Sequence, residues 1–170
     1  MLQLPDLTYQ VVAYPEVSDF NTNSCVDWAL EMIAIGYDSP SLLILAALNR
    51  PTNYFQTIEY LNAALKELRL EVKTGIEGVV SYSSYFIKRI AEGEQVKENL
   101  KAIYKYCQAH DYESLIYDFY LLYWAWDDLD YGNECQYYWE GANKDNIEAI
   151  VVKTAKDWVM KNEQHYLQTI

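Results

Sequence analysis

Lysine and arginine are missing from two long stretches of this chain. Residues 1–49 hold Asp6, Glu16, Asp19, Asp27, Glu31 and Asp38 and no lysine or arginine; residues 106–143 hold Asp111, Glu113, Asp118, Asp127, Asp128, Asp130, Glu134 and Glu140 and again no lysine or arginine. The two blocks carry −14 of a net charge of −12, so the rest of the chain is slightly basic. A field of this sign repels nucleic acid and anionic membrane and attracts basic partners. Surplus Asp and Glu also contribute to solubility. Neither nucleic acid nor membrane is therefore expected as a partner.

Other scarcities narrow the chemistry. The three cysteines, Cys25, Cys107 and Cys135, form no C-x-x-C pair and are odd in number, which suits a reducing cytoplasm better than a disulfide framework. The two histidines, His110 and His165, have no metal-ligand spacing to another histidine or to a cysteine pair, which argues against a zinc site and against a Glu-x-x-His di-iron bundle. Cys107 and His110 lie at i, i+3, but Cys107 falls on the apolar face of its helix and is expected in the core rather than as a thiolate. No glycine-rich phosphate loop, G-x-S-x-G elbow or basic–aromatic nucleic-acid pattern occurs. The first residues, MLQLPDLTYQVVAYPE, lack the basic and continuous apolar regions of a signal peptide, so the expected location is the cytoplasm. No cofactor and no bound metal are expected.

What the chain does have is apolar and aromatic content, at 51% hydrophobic with 17 tyrosines in 170 residues, enough for one domain over 1–170 with a sizeable core. Its patterning predicts an all-α fold, a bundle or short solenoid of about seven helices in antiparallel pairs. Pro5 and Pro15 bracket a β-prone run, so residues 1–22 are expected as an extended arm or a strand laid on the helices. A helix starts at Asn23 or Ser24 and stops at Gly36; Ser39-Pro40 opens a short one ending near Leu48. Asn53 caps a third, running on Phe55, Ile58, Leu61, Leu65 and Leu68. Gly75 and Gly78 mark a junction before a helix over Val79 to Ile90, and a fifth follows over 94–109. The last is expected from about Lys144 to Gln164.

Between them lies the stretch expected at the centre of the molecule, Asp111 to Gly132. From Leu115 to Trp126 the only residue neither apolar nor aromatic is Asp118, the pattern of a helix enclosed by others. The run is shorter than the roughly 20 residues that span a bilayer, so it reads as a buried core helix. Its last turn carries Asp127, Asp128 and Asp130 at the negative end of the helix dipole, where an exposed carboxylate costs roughly 0.3–1 kcal/mol. Folding alone does not call for acids there.

The run DDLDYGNE invites two metal readings. A calcium-loop frame with Gly132 at its sixth position puts Leu129 at a ligand position and lacks the downstream acid, so it fails. The aspartate-rich magnesium motifs of prenyl-diphosphate enzymes also begin with paired aspartates, but here the third comes one position early and no basic diphosphate-binding cluster accompanies it. What remains is an acidic, aromatic segment: Asp127, Asp128, Asp130, Tyr131, Glu134, Tyr137, Tyr138, Trp139 and Glu140. Aromatic anchors rimmed by charge are the composition of interaction hot spots, and acidic charge speeds encounter with a basic partner.

Tyr137-Tyr138 followed by Trp139-Glu140 resembles the inhibitor face of the colicin-nuclease immunity proteins, small acidic helical bacterial proteins in which an adjacent tyrosine pair sits beside acids. The resemblance covers about a dozen residues. It implies a non-enzymatic, immunity-type inhibitor that occludes a basic toxin or nuclease surface, with the nine residues above as its binding face. Two alternatives stay open: a helical-repeat scaffold binding a peptide, and a magnesium-dependent enzyme using the carboxylates of Asp127 to Asp130.

Overall fold

In a computed structural model, which describes residues 4–132 and 135–166, the chain is all-helical, with eight α-helices and no strand among the described residues. They form two compact units, the first built on residues 4–82 and the second on residues 83–165.

The first unit contains α1 (Leu7–Val11), α2 (Asn23–Ala34), α3 (Pro40–Ala46), α4 (Tyr54–Glu67) and the start of α5 (Gly75–Ala91). The local signals act as expected. The Ser39 hydroxyl accepts from Leu42 N at 3.3 Å, Asn53 Oδ1 accepts from Gln56 N at 3.1 Å, and Gly36 ends α2 at φ +98°. The expected extended arm is instead a helix. Tyr9, Val11, Val12 and Ala13 are buried, and Trp28 on α2 donates its indole N–H to Thr8 Oγ1 at 2.9 Å. Five residues do not hold a helix in isolation; here burial supplies the stability, and Ser81 Oγ and Lys73 N donate to the carbonyls of Tyr9 and Val12, each at 2.8 Å. The β-branched pair at its end is outvoted by those tertiary partners.

Helix α5 begins at Gly75, four residues ahead of the expected start at Val79. Glu16 Oε1 accepts from Gly75 N at 2.7 Å, which satisfies an orphan donor of the first turn. Gly78 therefore lies inside the helix, where a Cβ would meet Glu16 Cγ at 2.6 Å and the Lys73 carbonyl oxygen at 2.8 Å. Only glycine permits that approach.

The second unit holds the rest of α5, α6 (Val96–Ala109), α7 (Tyr117–Asp130) and α8 (Ile147–Tyr166). Helices α6 and α7 pack as an antiparallel hairpin, with Leu100, Ile103 and Cys107 buried on one and Phe119, Leu122, Ala125 and Leu129 on the other. Trp158 fixes α8 to the turn just before α7 by donating its indole N–H to the Leu115 carbonyl at 2.7 Å. Cys107 is fully buried, and burial pushes its thiol up to about 11, as its place on the apolar face predicts.

The stretch from Leu115 to Trp126 is not an enclosed core helix. Phe119, Leu122, Ala125 and Leu129 form one buried stripe, while Tyr117 and Asp118 are exposed and Tyr120, Tyr123, Trp124 and Trp126 are half-buried. Burying each large apolar member of that stripe contributes about 1.5–3 kcal/mol, more than the acids at the helix end cost. One stripe is enough to hold the helix, and the aromatic remainder forms a surface.

Candidate functional site

The half-exposed side of the α6–α7 hairpin is a ladder of rings. Tyr104 on α6 stacks on Tyr123 with centroids 4.0 Å apart and on Tyr120 at 5.4 Å, and meets Trp124 edge-on at 5.6 Å. Tyr120 in turn stacks on Tyr117 at 5.4 Å and takes the edge of Tyr112 at 5.2 Å. At the other end Trp124 stacks on Tyr138 at 6.2 Å. Each such pair is worth about 0.5–1.5 kcal/mol beyond burial. The phenols of Tyr104 and Tyr123 are held above their ordinary values by burial first, with neighbouring rings and Asp127 adding to it.

The predicted binding residues divide around this ladder. Asp127 and Asp128 are half-buried on α7, with no lysine or arginine among the described residues pairing with either. Asp130 is not a free acid. It pairs with Lys97 on α6, whose ammonium also lies 5.7 Å from the centroid of Trp126. Lys97, Asp127, Asp130 and Tyr131 line a shallow pocket of about 210 Å³. Tyr131 is 83% exposed, Glu140 is exposed, and Glu134 lies outside the described residues.

The segment 135–142 has no helical period, yet it is organised by one side chain. Gln136 Oε1 accepts from Tyr138 N and Trp139 N, each at 2.8 Å, while its Nε2 donates to the carbonyls of Trp139 and Ala142, the latter at 3.1 Å. This leaves Tyr137 94% exposed and Tyr138 43% exposed against Trp124, with Trp139 half-buried. Asn143 and Asn146 then open α8: Asn146 Oδ1 accepts from Asn143 N at 2.8 Å, and Asn143 Oδ1 from Asp145 N at 2.9 Å.

Residues that sequence reasoning passed over are Tyr104, Tyr112, Tyr117, Tyr120, Tyr123, Trp124 and Gln136. The i, i+3, i+7 spacing of Tyr117, Tyr120 and Trp124, opposite Phe119, Leu122 and Leu129, was the available signal. Chemically the surface offers ring faces, phenol hydroxyls and carboxylates, the groups that receive cations. Among the described residues no cluster of His, Cys, Asp and Glu could hold a metal ion, and no helix is long and apolar enough to cross a membrane. No protein-family model, no curated protein and no solved structure matches the chain.

Proposed function

We propose that this chain is a non-enzymatic binding protein that masks a basic partner, in the manner of an immunity-type inhibitor of a toxin or nuclease. The observation that carries the reading is the exposure of Tyr131, Tyr137 and Tyr138 in a stretch of chain that also holds Asp127, Asp128 and Glu140 and has no base. Large exposed aromatics in a patch mark an interaction surface. Tyr contributes contact area at low rotamer cost, and the acids steer a cationic surface toward it. The Gln136 bonds hold the tyrosine pair in place before binding, which lowers the ordering cost of association. Asp130 belongs to the scaffold, because its charge is committed to Lys97.

The test is capture from the source cell's lysate by the wild type and by a folded variant with Asp127→Asn, Asp128→Asn, Tyr137→Ala and Tyr138→Ala. The expected result is a basic protein held by the wild type, released as salt rises, and lost by the variant. Identical capture by both would discard masking by this segment.

A further inference from the structure

The far end of the ring ladder, remote in sequence from Tyr137 and Tyr138, is a second feature with its own chemistry. Tyr112, Ser114, Tyr117, Asp118 and Tyr120 line an open pocket of about 540 Å³. Tyr120 in this lining is half-buried, with Tyr117 nearly parallel to it (14°) and Tyr112 nearly perpendicular (84°). Tyr104 backs Tyr120 within the hairpin. Tyr112 and Tyr117 are 49% and 38% exposed, so part of each ring is open to a ligand, while Tyr120 is covered by Tyr104 and Tyr117. The lining includes one carboxylate, Asp118, and no base; Asp111, next to Tyr112 in the chain, is also exposed. Tyr112 reaches its place through two successive left-handed residues, Asp111 at φ +50° and Tyr112 at φ +58°, with Tyr112 N bonded to the Cys107 carbonyl at 2.9 Å.

We infer that this pocket receives an arginine side chain of the basic partner, its guanidinium lying on the exposed side of the Tyr117 ring, next to Tyr112, with Asp118 as counter-ion. The argument is complementarity. Ring faces are negative in their quadrupole and attract a cation within about 6 Å. A planar, weakly hydrated guanidinium stacks on an open ring face and offers a carboxylate two donors, which a compact ammonium does not. The inference rests on the masking reading for the basic character of the partner, but the pocket can be tested without that partner.

The probe is the short peptide acetyl-Gly-Arg-Gly-Arg-Gly-amide, titrated into the intact chain while the tyrosine ring resonances are followed by NMR, with the Lys-for-Arg peptide alongside. The expected result is movement of the Tyr112, Tyr117 and Tyr120 signals, with affinity about five-fold lower for Tyr117→Ala and for Asp118→Asn, one exposed cation–π or charge contact each. The lysine peptide binds more weakly. Both substituted positions are exposed, and circular dichroism checks that the variants are folded. Ring signals that stay still at millimolar peptide, or equal binding of the two peptides, overturn the inference. Peptide binding at these rings in a chain that captures no basic protein leaves the pocket standing and removes the masking reading. Capture of a basic protein without any peptide response at the rings does the reverse.

Discussion

Lys97, in the first turn of α6, pairs with Asp130, the last residue of α7. Each charge is adverse to the dipole of its own helix and favourable to that of its neighbour, because an antiparallel hairpin sets the N-terminus of α6 beside the C-terminus of α7. The aspartate that looks misplaced along one helix is well placed across two. Both side chains are near half exposure, so the pair contributes about 0.2–1 kcal/mol, comparable to the dipole cost it offsets.

That balance predicts the outcome of a charge swap. Lys97→Glu and Asp130→Lys singly should each lower stability by about 0.5–1 kcal/mol through like-charge contact across the hairpin. The double variant restores an ion pair and reverses both dipole effects, each charge now favourable to its own helix and adverse to its neighbour's, so it should return to about the wild-type stability. Urea unfolding of the four proteins measures this as a double-mutant cycle. A double variant no more stable than the worse single would show that the pair does not couple the helices.

Gln136 should govern the order of the tyrosine loop. Gln136→Ala removes both acceptor and donor roles and leaves the Trp139 and Ala142 carbonyls without their side-chain partner; each lost bond costs about 0.5–1.5 kcal/mol locally. Gln136→Glu keeps the acceptor for Tyr138 N and Trp139 N but turns a negative oxygen on the two carbonyls, so it should loosen the loop as well. Limited chymotrypsin digestion should cut after Tyr137 or Tyr138 several-fold faster in both variants, with the global urea midpoint little changed. Unchanged cleavage would mean that the loop is held by something other than this side chain.

The features legible in the sequence are those decided by residues adjacent in the chain. Gly36, Ser39-Pro40 and Asn53 act through bonds three or four residues away, and the helices they bound lie where expected. Helix α1 was not legible, because Trp28, Lys73 and Ser81 hold it and all three are distant in sequence. The same holds for Asp130, whose partner lies 33 positions back. Aromatic content in α7 could not distinguish a buried ring from a surface one: Phe119 is enclosed while Tyr117, two residues before it, is 38% exposed. Of the candidate site, the exposed tyrosine pair and acids were readable from composition, and the ladder linking Tyr138 to Tyr112 was not, since it needs Tyr104 from another helix.

Glu67 repeats the logic of Asp130 in the first unit and makes it measurable by pH. It sits at the C-terminal end of α4, the adverse end for an acid, and reaches the first turn of α3, where Ser41 Oγ and Ser41 N donate to its two oxygens at 2.7 and 3.1 Å. The Ser41 hydroxyl foremost, then Ser39 and the Ser41 amide, hold this carboxyl below its ordinary value. A depressed folded value means that the unfolded chain binds the proton first as pH falls. The stabilisation is therefore complete above the unfolded glutamate value, about 4.3, and disappears as pH drops through the lower folded one. Ser41→Ala, which removes the strongest donor, should lower stability at neutral pH and flatten the loss between that pH and the acid limb; Glu67→Gln should flatten it further. Urea midpoints measured for the three proteins from neutral pH down through the carboxylate range decide the matter. Three parallel curves would place the acid sensitivity of this unit in other carboxylates.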